Sequence, residues 1–166
     1  MTMTFFAGRR WVPAHRGAWY VERSDDVGAQ KVRDVMTPDP LTVKEDQTVV
    51  EAARLMKEKG VGPILVMDDG HVEGIVTDRD IAVRVVAEGR DPNSVRVGEI
   101  ATKDVRTVSP DDPADEAVRL MREKAVRRLP VVEGDKPVGI VSLGDLAQEK
   151  DPKSALADIS EAPPNN

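Results

Sequence analysis

Two seven-residue phrases hold the side chains best suited to chemistry: GIVTDRD, from Gly74 to Asp80, and GIVSLGD, from Gly139 to Asp145. In each, an apolar run passes into a hydroxyl residue (Thr77 or Ser142), and an aspartate follows three positions later (Asp80 or Asp145). A hydroxyl and an acid at this spacing cap a helix, which contributes about 1 kcal/mol whatever the function. The same pair also suits a ligand. Backbone N–H groups at a helix start attract anions, and an aspartate can accept from both hydroxyls of a sugar diol. A capping box prefers Glu or Gln at its third position, whereas both phrases use the shorter Asp. The glycine that begins each phrase lets another group approach the backbone closely.

The phrases occur twice because the chain is duplicated. A shift of 65 residues lays Val32–Ile81 over Val97–Leu146 without a gap, with 19 identities in 50 positions. A repeat this clear marks two copies of one supersecondary unit, and a site in one copy should be sought in the other. The sequence divides into an extension at 1–30, a first repeat at 31–95, a second at 96–150 and a polar, proline-containing tail at 151–166. Units of this size bury too little surface to stand alone, so the copies are expected to share one core.

Each copy reads as strand, helix, strand, strand, helix. Val49, Ala52, Ala53 and Met56, and likewise Ala114, Ala117, Val118 and Met121, recur at helical spacing. Thr48-x-x-Glu51 predicts a capping box for the first helix, and Asp112 before Pro113 predicts a cap and a first-position proline for the other. Asp69-Gly70 between Ile64–Met67 and Val72–Val76 is a strong hairpin signal, with Gly134-Asp135 as its counterpart. The extension is expected to be partly disordered or an arm that packs its aromatics on a partner, with RRWV and AWYV as candidates for two short strands around PAHRG.

Composition narrows the chemistry. The 166 residues hold no cysteine, which excludes disulfides, thiol catalysis and thiolate metal sites. With 24 Lys and Arg against 30 Asp and Glu, the chain is mildly acidic and a poor general binder of nucleic acid. No apolar run reaches the length of a membrane span, and no secretory signal is evident; a cytoplasmic location is the simplest expectation. Phe5, Phe6, Trp11, Trp19 and Tyr20 all precede the repeats, so a planar ligand held there must lie between aliphatic side chains. His71 has Asp68, Asp69 and Glu73 nearby, which turn chemistry in the hairpin explains better than a metal does. Neither a nucleophile paired with a base nor a phosphate-binding glycine loop is recognisable.

RDVMTP at Arg33–Pro38, the two EA-x-RLM helices, VRRLPVV at Val126–Val132 and the two GIV[TS]xxD phrases together resemble a pair of cystathionine-β-synthase-type (CBS) domains, the tandem called a Bateman module. The stretch from TDRDIAVRVV onward is similar to free-standing bacterial CBS pairs, including a hypoxia-response type. The resemblance covers Lys31 to about Lys150. It implies an α+β (α/β) fold of two β-α-β-β-α repeats packed about a pseudo-twofold axis, with two clefts between them. Such clefts hold AMP, ADP, ATP, NAD or S-adenosylmethionine in many members. By that resemblance Asp80 and Asp145 hold ribose hydroxyls, Thr77 and Ser142 lie near phosphate, and Ile75 and Ile140 line the adenine slot.

The clefts are not expected to be equal. Arg127 and Arg128 resemble a phosphate-gripping basic pair, while the first copy has Gly62 and Pro63 at those positions, with Arg79 or an Arg reaching over from the second copy as a partial substitute. Arg79 and Gly144 also stand where some nucleotide-binding relatives carry a hydroxyl. The expected function is that of a non-enzymatic regulatory module, an energy or stress sensor of adenine nucleotides with no obligatory cofactor. Its expected partners are a second copy, joined through the CBS helices, and an unknown effector protein. The alternative is a structural or interaction protein with empty clefts that works through its aromatic, basic N-terminal arm.

Overall fold

The computed structural model describes residues 11–13, 19–21, 30–150, 156 and 159–160. In the extension, β1 (Trp11–Pro13) pairs antiparallel with β2 (Trp19–Val21), matching the two expected strands. Phe5, Phe6, His15 and most of the tail fall outside the described residues.

The first repeat opens with α1 (Val32–Val35) and β3 (Thr37–Pro38). It continues with β4 (Thr42–Lys44), α2 (Val49–Lys59) and the hairpin of β5 (Pro63–Asp68) and β6 (His71–Thr77). It ends on α3 (Asp78–Ile81), which runs on as a π-helical turn over Ala82–Val86. The second repeats this order with α4 (Val97–Ile100), β7 (Thr102–Lys103), α5 (Ala114–Lys124), β8 (Arg128–Glu133), β9 (Lys136–Ser142) and α6 (Leu143–Lys150). Where the first copy has β4, the second has a single parallel bridge from Val108 to Val131.

Local signals account for most of these boundaries. Thr48 and Glu51 form the expected capping box, and Glu51 accepts from the Thr48 N–H at 2.7 Å. Those hydrogen bonds from Thr48 hold the Glu51 carboxyl below its ordinary value. The Asp112 cap differs from the expectation. Pro113 is the residue before α5 rather than its first, and Asp112 accepts from the Ser109 N–H at 2.7 Å instead. The first helical amide, Ala114, finds its acceptor elsewhere, in the Gln30 carbonyl at 2.7 Å. The segment ahead of α1 therefore satisfies a donor that a side-chain cap would otherwise take.

That contact belongs to an exchange between the halves. One sheet has the order β4-β5-β6-β7, so its edge strand comes from the second repeat. The other has the order β3-β9-β8, with an edge from the first repeat. The cores follow the same rule. Val97 and Ile100 of the second repeat join Val43, Val49, Ala52, Met56, Ile64, Val76 and Val95 in one cluster. Val32 joins Val108, Ala117, Met121, Leu129 and Val141 in the other. The expectation of one shared core is thus replaced by two cores, each completed by a short segment of the other half. The sequence division at 95/96 is a division of the repeat unit and not of these packed bodies.

The exchange also explains the repeated glycine. A Cβ on Gly74 would lie 2.8 Å from the Thr102 carbonyl oxygen, and one on Gly139 would lie 2.9 Å from that of Thr37. The group that approaches the backbone here is the donated edge strand. Among the described residues no helix is long and apolar enough to cross a membrane.

Candidate functional site

Both phrases end a strand and begin a helix, and both acids fold back onto that junction. Asp80 Oδ2 accepts from the Thr77 N–H at 2.9 Å and from the Thr77 hydroxyl at 2.6 Å. Asp145 Oδ2 accepts from the Ser142 N–H at 2.7 Å and from the Ser142 hydroxyl at 2.6 Å. In return each hydroxyl oxygen accepts from the aspartate N–H at 3.3 Å. The capping function is therefore real in both copies, and the shorter Asp performs it with one oxygen. Its second oxygen remains for other work.

What the second oxygen meets differs between the copies. Arg84 stands 3.6 Å from Asp80 Oδ1, one helical turn along. For Asp145 the structure records no ion pair and no second acceptor role among the described residues. Asp145 instead lines a cleft of about 240 Å³ built from both halves. The first half contributes Pro40, Leu41, Val61 and Pro63; the second contributes Arg128, Ile140, Ser142 and Asp145. Ile140 is buried and Asp39 also lines the cleft, so an apolar wall and two carboxylates face one space with a guanidinium beside them.

The remaining predicted residues are scattered more widely. Arg128 pairs with Ser142 across the β8/β9 hairpin and lines the cleft. Arg127 is exposed and does not line it; its carbonyl accepts from the Leu143 N–H at 2.9 Å. Ile75 pairs with Leu65 and with Thr102 of the donated strand, half-buried. Arg79 is exposed at the start of α3. Ile75, Thr77, Arg79 and Asp80 lie outside the Asp145 cleft, and the repeat relation sets them at the equivalent position beside Thr102.

Sequence reasoning missed Leu41, Val61 and Pro63 as cleft walls. They carry no motif of their own, yet the 65-residue offset sets Val61 and Pro63 over Val126 and Arg128, beside the basic pair already singled out. A larger depression, about 730 Å³, lies between the Lys44–Gln47 loop and the Asp68–Gly70 turn. Glu45, Asp46, Asp68 and Asp69 outnumber Lys44 there, which makes it a poor seat for a phosphate. His71 Nδ1 lies 3.3 Å from Asp135 Oδ1, so the two hairpin turns face each other across the halves.

Comparison with known proteins agrees with this architecture. The model of the CBS domain matches residues 32–87 and again 97–151. The CBS domain-containing protein YhcV of Bacillus subtilis is 42% identical over 133 residues, covering 78% of this chain and 94% of that protein. A solved CBS-domain protein from Burkholderia ambifaria superposes with a TM-score of 0.68 at 37% identity, covering 75% of this chain and 96% of the other. The CBS domain pair of protein MJ0100, solved in complex with 5′-methylthioadenosine and S-adenosyl-L-methionine, gives 0.68 at 26% identity over 76% of this chain and 99% of that one. The duplicated units, their exchanged edges and these matches make the chain a member of the CBS-domain family, with two CBS domains in tandem.

Proposed function

We propose that this chain is a non-enzymatic regulatory module, and that it binds an adenosine-containing ligand in the Asp145 cleft. The carrying observation is the chemistry of that cleft: one carboxylate oxygen is fixed by Ser142, the other has no partner among the described residues, and aliphatic walls come from both halves. A ribose diol donates to Asp145. Adenine lies between Ile140 and the aliphatic residues of the first half, and Arg128 meets the phosphate. The volume, about 240 Å³, is below the ~300–1,000 Å³ usual for drug-sized ligands, so the nucleoside lies inside and phosphates project toward Arg128. The adenosine compounds bound by the MJ0100 pair support this ligand class.

The signal is a population shift. A ligand that touches both halves favours the relative orientation that completes its site. Output then passes to another protein or to self-association. Val118 on α5, together with Val83 and Val86 on the π-helical turn, supplies exposed apolar surface for a second copy. Light scattering on the eluting protein checks the assembly, and a monomer at all concentrations removes it.

Calorimetric titration of AMP tests the ligand site. Losing a hydrogen bond to a charged group costs about 1.5–3 kcal/mol, so Asp145→Ala weakens binding by roughly 10- to 150-fold. An unchanged affinity in that variant contradicts the assignment. So does a thermal-shift panel of AMP, ADP, ATP, NAD and S-adenosylmethionine in which no compound raises the wild-type melting temperature.

A further inference from the structure

We propose that Arg84 is a specificity-determining residue that keeps the Asp80 cleft closed to nucleosides, so that each chain binds one nucleotide. This rests on the reading of the Asp145 cleft as a nucleoside site.

Geometry singles out Arg84. Its guanidinium stands 3.6 Å from Asp80 Oδ1, while Asp80 itself is only 16% exposed. The same guanidinium also touches the exchanged segment of the second half. Arg84 Nη1 donates to the Ile100 carbonyl, and Nη2 reaches the Thr102 hydroxyl at 3.5 Å. Thr102 is the repeat counterpart of Thr37, and Thr37 lines the Asp145 cleft. The guanidinium therefore spans from the acid to the donated strand, across the space that the other copy leaves as a cleft. Nη1 is held by the Ile100 carbonyl while Nη2 lies between Asp80 and Thr102, so both halves position the planar fork of a side chain that is 45% exposed.

The consequence for Asp80 is chemical as well as steric. One oxygen is used by Thr77 and the other faces a cation, so a diol must displace Arg84 to reach it. A neutral ribose offers hydrogen bonds but no charge to replace the lost pairing. At the same offset the second copy has Glu149, which cannot pair with Asp145 and repels it. One substitution between the copies thus accounts for an open cleft and a closed one.

Stoichiometry by calorimetry decides the matter, with AMP titrated into the full chain. The expected result is one AMP per chain for the wild type and two for Arg84→Gln. Gln keeps amide donors for the Ile100 carbonyl, and Arg84→Ala serves as a second variant; melting curves identify either if it fails to fold. Adding Asp80→Ala to Arg84→Gln returns the count to one. Two sites in the wild type, or one site in folded Arg84→Gln and Arg84→Ala, overturn the role of Arg84 and leave the Asp145 site intact. No binding to the wild type with one site in Arg84→Gln upholds Arg84 and sinks the Asp145 assignment. Binding to neither sinks both.

Discussion

Gly139→Val destabilises the protein by about 3 kcal/mol, read as a shift of the urea midpoint at constant slope. Gly139 faces Pro38 in the antiparallel pairing of β3 with β9. Even the first carbon of a side chain there would lie 2.6 Å from Met36 Sδ and 2.9 Å from the Thr37 carbonyl oxygen. The thioether swings aside readily, but the carbonyl belongs to the paired backbone and moves only if the strand detaches. Detachment takes α1 with it and uncovers Val32, which is fully buried. Gly74→Val produces the same kind of loss on the other side, against the Thr102 carbonyl at 2.8 Å. A midpoint equal to wild type in both variants contradicts the two edge pairings.

The second large effect falls on Val32 itself. Val32→Asp places a carboxylate at a position with 0% exposure and no basic partner in its cluster, and costs more than about 3 kcal/mol. Its milder variant carries more information. Val32→Ala coupled with Met121→Ala should depart from additivity by about 0.5 kcal/mol or more, because both belong to one cluster. Val32→Ala with Met56→Ala, which lies in the other cluster, should add to within about 0.5 kcal/mol. Denaturant titration of the two cycles measures the exchange directly. The reverse pattern would mean that each repeat packs on its own leading segment.

Helices and hairpins were legible in the sequence because their signals are local. Ala52, Met56, Ala117 and Met121 repeat at helical spacing and are buried, and the Asp69-Gly70 turn sits between strands as its residues require. The exchange was not legible. Thr37–Pro38 and Thr102–Lys103 are strands of two residues, too short to show a period, and only long-range pairing makes them strands. A repeat also hides which copy a segment joins, since the same residues complete either one. At the site, Asp145, Ser142, Ile140 and Arg128 followed from motif and resemblance, while Leu41, Val61 and Pro63 are ordinary aliphatic residues until the halves meet. Arg84 was within reach. An acid and an arginine four positions apart on a helix are neighbours, whereas Arg79, adjacent to Asp80 in sequence, is exposed at the start of α3.

The donated edges bear on how the molecule comes apart. Two separate apolar clusters ordinarily allow two melting steps, yet here neither cluster is finished by its own stretch of chain. Losing one half strips an outer strand and buried valines from its sibling, so both must go together in a single transition. A protease cut in the loop at 89–93 then leaves two fragments bound as mutual subunits, each lacking what the other carries.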